Sequence, residues 1–228
     1  MKKIVLLTLA LALAPLRAAP VKSADFYVSP YYAAEGGQVR TLRGVDEPLL
    51  SLLASGKAQD LAAARAHIEK NSAAIPPLTL MVLAARLYDA GQRDEAVFWF
   101  YVAKDRYSVF VRVIDTSQGA RHEEETAMTA FRELLGPYIN SYAFCDLKNQ
   151  QRQRRRALEW VRAHPQAALN DPSLPALGPD RAALTRAALQ KIQASADGEA
   201  RWLNNGAEMK KLQEQRRAQG VDEQFCWK

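Results

Sequence analysis

Between Glu47 and Lys70 apolar residues return every third or fourth position, the spacing of helices that each bury one face. PLLSLLAS runs to a break at Gly56, and AQDLAAARAHIEK follows, with Leu61, Ala64, Arg65 and Ile68 at i, i+3, i+4 and i+7. Asn71, Ser72, Pro76 and Pro77 close the unit, so the pattern predicts a helical hairpin. The next pair is sharper. Pro76 and Pro77 open PPLTLMVLAARLYDAG, whose Leu80, Leu83, Ala84 and Leu87 share one face. It stops at Gly91, a residue that accepts the left-handed conformation ending many helices. Asp94 and Glu95 then begin DEAVFWFYVAKDRY, with acids in the first turn where the helix dipole favours them. A connection of about three residues makes these two helices antiparallel.

After Val113 the pattern lapses through DTSQGA, and RHEEETAMTAFRELLG predicts a helix ending at Gly136. Pro137 permits a new start for YINSYAFCDLKNQQRQRRRALEWVRAHP, with a break expected near Asn149. DPSLPALGP, residues 171–179, contains three prolines and marks a boundary. Two helical stretches follow, DRAALTRAALQKIQAS and EARWLNNGAEMKKLQEQRRAQG, before the tail VDEQFCWK. Sustained strand alternation is absent from the pattern, so the fold class expected is all-α. Residues 19–46, centred on YVSPYYAAEGG, read as an irregular arm, pinned to the domain by the amphipathic rings of Tyr27, Tyr31 and Tyr32.

The first residues change the picture of charge. Lys2 and Lys3 precede an apolar run, Ile4 to Ala14, and small residues follow at Ala18 and Ala19, the order of a secretory signal peptide covering 1–18. The run is about half the ~20 residues needed to span a bilayer, and Pro15 and Arg17 interrupt it. Cleavage after Ala18 or Ala19 removes three cations, Lys2, Lys3 and Arg17, and takes the formal charge from +6 to +3. So small an excess argues against nucleic acid as partner, and the mature chain has no transmembrane segment of its own. The expected location is the periplasm. In that compartment the even count of two cysteines, Cys145 and Cys226, reads as one disulfide, the alternative being two unpaired buried thiols. Their separation and the lack of a CxxC spacing count against a redox-active pair.

The helix pair 77–110 resembles a tetratricopeptide or Sel1-like repeat. Leu83, Leu87, Gly91, Ala96, Phe100 and Ala103 stand where that pattern places large, large, turn, small, large and small residues. Leu80 replaces the usual Trp, Ala84 the Gly, Leu87 the Tyr and Ser108 the closing Pro, each keeping small or large character. Segments 47–70 and 134–165 look like degenerate flanking repeats. The resemblance implies antiparallel helix pairs stacked as a short array over residues 47–170, with residues 171–228 forming C-terminal helices and a disulfide-tethered tail. Such stacking gives the aromatic helix neighbours on every side, so its rings are expected in the core.

The leader, LYDAGQRDEAVFWFYVAKDR and GPYINSYAF together are also similar to small exported proteins of Gram-negative bacteria, some of which neutralise type VI secretion effectors. That similarity implies an immunity-type protein that binds a toxic effector, with an envelope scaffold and then an enzyme with an unrecognised site as the alternatives. Chemistry in the chain is sparse. His67, His122 and His164 fall on three elements, outside any metal-ligand spacing, and His122 with Glu123, Glu124 and Glu125 reads as a solvated first turn. No nucleophile turn or phosphate loop is present, so no catalytic, cofactor-binding or metal residue is nominated, the protein is read as a non-enzyme, and the partner-binding face is left open. The basic run RQRRR, with Arg152, Arg154, Arg155 and Arg156, reads as a solvated helix face or a docking point for an acidic partner.

Overall fold

Two short helices, α1 (Glu47–Ser55) and α2 (Ala58–Lys70), form the first hairpin, turning at Gly56, whose φ of +65° is strained for any residue with a Cβ. In the computed structural model the described residues are 19–22, 32–35, 38–41, 47–117 and 120–227. The expected signal peptide, 1–18, lies outside them, as does most of the expected arm. The second hairpin pairs α3 (Pro77–Asp89) with α4 (Arg93–Phe110) around Gly91, where φ is +75°. Pro77 sits at the first position of α3, and Asp94 and Glu95 in the first turn of α4, as their chemistry favours.

Beyond this come α5 (Ala120–Ala143), α6 (Leu147–Ala163), a 3-10 turn (Ala167–Asn170), α7 (Arg181–Leu203), α8 (Gly206–Ala218) and α9 (Val221–Phe225). The class is all-α. α4 is its central helix, packed by α3, α5, α6 and α7, and every residue from Ala96 to Ala103 is buried. That enclosure is why the helix is apolar nearly all round. Trp99 meets Trp160 of α6 edge-on at 5.3 Å and Phe98 at 5.0 Å, the offset geometry aromatic rings prefer. α5 and α6 do not interlock as the first two pairs do. α6 packs mainly on α4 instead.

Expectations are corrected at three places along the chain. The arm read as irregular contains an antiparallel hairpin, β1 (Tyr32–Glu35) and β2 (Gln38–Thr41), with Tyr32 opposite Thr41 and Glu35 opposite Gln38. The Gly36–Gly37 pair between the strands is a hairpin signal, but four residues a side are too few for alternation to register. Secondly, α5 does not end at Gly136: it runs through Gly136 and Pro137 to Ala143. Proline clashes with the Cβ of a helical residue before it, and Gly136 has none, so the dipeptide that reads as a stop here lets the helix continue. The break expected near Asn149 falls at 144–146, where Asp146 caps α6 by accepting from the backbone N–H of Lys148 (3.1 Å) and Asn149 (3.0 Å). Thirdly, α7 continues past Gly198 to Leu203, and the split moves to Asn205, which caps α8.

The proline-rich segment 171–179 is stitched to the main body. Asp115 N–H donates to Pro175 O and Leu177 N–H to Val113 O, both at 2.9 Å. Ala188, Ile192 and Ala196 of α7 then join the same hydrophobic core as α3 and α4.

Cys145 and Cys226 are bonded, with Cα atoms 5.4 Å apart and a sequence separation of 81. The bond anchors the tail beside Arg93, which donates to Phe225 O (3.3 Å) and Trp227 O (2.9 Å). Its guanidinium lies 3.7 Å from the Trp227 ring centre and 4.5 Å from that of Tyr142. Val21 N–H in turn donates to Gln224 O at 2.8 Å, so the start of the described chain is held by its end. A Cys145→Ser, Cys226→Ser variant should lose about 3 kcal/mol of stability, because the unfolded chain regains the entropy of a long loop. Urea titration of the oxidised wild type against this variant measures the loss, and equal midpoints would show that the bond constrains nothing.

Candidate functional site

Immediately after its aromatic run α4 turns polar, with Lys104, Asp105, Arg106 and Tyr107 in succession. Helical geometry sends these four side chains to different neighbours. Lys104, Tyr107 and Ser108 line a cleft of about 630 Å³ that α5 and α7 flank, both helices packing on α4. Met128 of α5 and Ile192 of α7 supply its apolar part, and both are buried. Arg112, Arg132 and Lys191 complete the set of cations. Among the described residues, none of these four cations is in an ion pair. Arg112 donates to Ser108 O (2.7 Å) and Oγ (2.6 Å), and Lys104 lies 4.8 Å from the Tyr101 ring centre.

Burial holds the Lys104 ammonium below its ordinary range, with Arg154 adding to the effect and Glu199 and Asp105 opposing it. The Tyr107 hydroxyl is buried without a hydrogen-bond partner, and burial pushes it up, with Glu125 and Glu124 of α5 adding to the rise. Glu125 itself accepts from Thr116 Oγ1 at 2.9 Å. The cleft lining thus holds a lysine whose charge burial disfavours and a tyrosine whose hydroxyl is buried without a hydrogen-bond partner.

Behind the cleft a buried polar network ties α4, α6 and α7 together. Arg154 of α6 grips both carboxylate oxygens of Asp105 and donates through Nε to Glu199 Oε2 at 3.2 Å. Gln150 Nε2 donates to Tyr101 Oη (2.9 Å) and to Glu199 Oε1 (2.7 Å). Burial pushes the Asp105 carboxyl up, a rise that the Arg154 guanidinium opposes only in part. Burial likewise opposes the charge of Arg154, which Asp105 and then Glu199 outweigh, holding it above its ordinary value. Asp105, the acid in the cleft lining, is thus already neutralised. Arg106 is separate: fully buried, it donates to Ser72 O at 2.7 Å, and burial brings it down to about 10.

The basic run is divided by helical periodicity. Arg154 faces inward, whereas Arg156 pairs with Glu95 at 2.7 Å and lies 3.8 Å from the Phe98 ring centre. Arg152 donates to Asn149 Oδ1, and Arg155 is exposed. Leu83, Ala84, Leu87, Ala96, Phe100 and Ala103 are all buried, with Gly91 at the turn between their helices. The six buried residues belong to the hydrophobic core, and all seven stand outside the cleft lining. Cys145 and Cys226 border a second, smaller hollow of about 360 Å³, where Arg216 Nη2 approaches Cys226 Sγ at 3.2 Å and Cys145 Sγ at 3.5 Å. The histidines stay apart, His164 stacking on Trp160 at 4.2 Å, and among the described residues no three His, Cys, Asp or Glu side chains gather as a metal site.

Sequence reading missed the cleft because its cations come from three stretches, 104–112, 132 and 191, none of which forms a motif. The abrupt change from FWFYVA to KDRY on one helix was the available signal. No family model and no solved structure matches the chain. A Haemophilus influenzae protein described as uncharacterized is 34% identical over 208 residues, covering 91% of this chain and 80% of that protein. The shared region thus extends over nearly all the elements described above.

Proposed function

Because the chain belongs to the same family as that Haemophilus influenzae protein, we propose a function from the geometry: it is an exported protein that binds another protein. The observation that carries the reading is the open cleft between α5 and α7, preformed on a central helix and lined by four cations that form no ion pair among the described residues. A recess of this kind loses little ordering entropy on binding where the buried network of Arg154, Asp105 and Glu199 already holds its α4 and α7 walls. Stoichiometric inhibition of a toxic effector is the specific form that the resemblance to exported immunity-type proteins suggests. In that form the protein blocks its partner's site by affinity alone.

Affinity purification of the tagged protein from periplasm, with identification of what copurifies, tests the proposal. The expected result is one protein recovered in an equimolar complex, and a deletion strain that suffers only beside effector-bearing siblings. A deletion defect in monoculture would favour a scaffold over an inhibitor. No copurifying protein and no competition defect would overturn the reading.

A further inference from the structure

We infer that the cleft between α5 and α7 recognises an acidic peptide segment, one that alternates carboxylate with apolar side chains. The inference rests on the protein-binding reading for the ligand being a peptide, and on the cleft itself for the charge. Arg132 and Lys191 are exposed on facing helices, and among the described residues neither has a hydrogen-bond or ionic partner. Arg112 adds a planar fork suited to carboxylate oxygens, and Lys104 a point charge at the α4 wall. Met128 and Ile192 give the same recess an apolar floor, which a bare polyanion would leave unused. The volume, about 630 Å³, lies within the few hundred to about 1,000 Å³ of sites that enclose a small ligand, the bulk of a few residues rather than of a folded surface.

The counter-charges around the cleft support the same sign. Asp105 is saturated by Arg154, and Glu199 by Arg154 and Gln150. Glu124 and Glu125, near Tyr107, are the acids that would repel the ligand, and Glu125 is engaged by Thr116. They leave the Arg132 and Lys191 walls as the favourable side. Burial already disfavours the Lys104 charge, so a carboxylate placed beside it gains more than it would beside a solvated lysine.

The test uses a labelled hexapeptide of four glutamates and two leucines, its lysine and leucine counterpart, and the purified full chain at low salt, read by fluorescence anisotropy. The acidic peptide should bind with 1:1 stoichiometry and weaken as salt is raised. Arg132→Glu with Lys191→Glu should weaken it about tenfold or more, since two attractive charges become repulsive. Arg155→Glu with Arg162→Glu, the same change of net charge at exposed positions outside the cleft, should alter it less than about twofold. All four sites are exposed, and circular dichroism confirms folding of both variants. Equal weakening by the two variants, no binding of the acidic peptide, or equal binding of the basic one would overturn the inference. If the acidic peptide fails while a periplasmic protein still copurifies, the protein-binding reading stands without it. If the peptide binds but no protein is captured, the charge recognition stands and the broader reading falls.

Discussion

Exchanging Arg154 for methionine, with Asp105 left in place, should lower stability by about 3 to 5 kcal/mol, because the change strands a buried carboxylate. The two side chains are 5% and 4% exposed, and the guanidinium holds both carboxylate oxygens at once. Methionine replaces the length of the side chain but none of its five donors, so Asp105 must be protonated or hydrated in the interior. Glu199 also loses its Nε donor, and keeps its bonds to Gln150 and Tyr101. A double variant, Arg154→Met with Asp105→Leu, should recover a large part of the loss, because neither remaining side chain then pays for desolvation. Urea unfolding of the wild type, the two single variants and the double variant closes the cycle. A single-variant loss below about 1 kcal/mol would mean that water reaches Asp105 and that the pair behaves as a surface bridge. The consequence reaches the cleft, whose α4 and α7 walls are joined through this arginine.

The first four helices were legible because their boundaries are written locally. Gly56 and Gly91 adopt the left-handed backbone their turns need, Pro77 opens α3, and apolar residues at helical spacing became the buried faces. Asp146 and Asn205 were equally local signals for the starts of α6 and α8, but the apolar pattern ran across them and obscured the caps. At Gly136–Pro137 the local rule was ambiguous: glycine and proline end helices, yet in this order glycine removes the clash that proline creates. Within RQRRR, adjacent arginines are chemically identical, and only the position of Asp105 and Glu199 on two other helices decides that Arg154 goes inward. The cleft was the least legible feature. It exists because α5 and α7 both pack on α4 and leave a gap, a property of packing that no single segment encodes.

Truncating Phe100 to alanine should cost about 3 to 5 kcal/mol, comparable to the loss of Arg154 but for the opposite reason, a void in place of a stranded charge. Phe100 is 2% exposed, and its ring tip reaches α5 at Gly136, lying 3.8 Å from where a Cβ on that glycine would sit. The ring therefore fills the seam between α4 and α5 where α5 has no side chain of its own. Phe100→Leu should cost less, because leucine fills part of the space that alanine leaves empty. Thermal and urea unfolding measure both. A loss below about 1 kcal/mol for alanine would show that α5 collapses onto α4. Since Phe100 is outside the cleft lining, Phe100→Ala kept at a temperature where it stays folded should still bind the acidic hexapeptide. Arg132→Glu with Lys191→Glu should do the reverse, keeping the unfolding midpoint and losing the peptide. If instead Phe100→Ala abolished binding while its stability held, the α5 wall of the cleft would depend on this ring for its position.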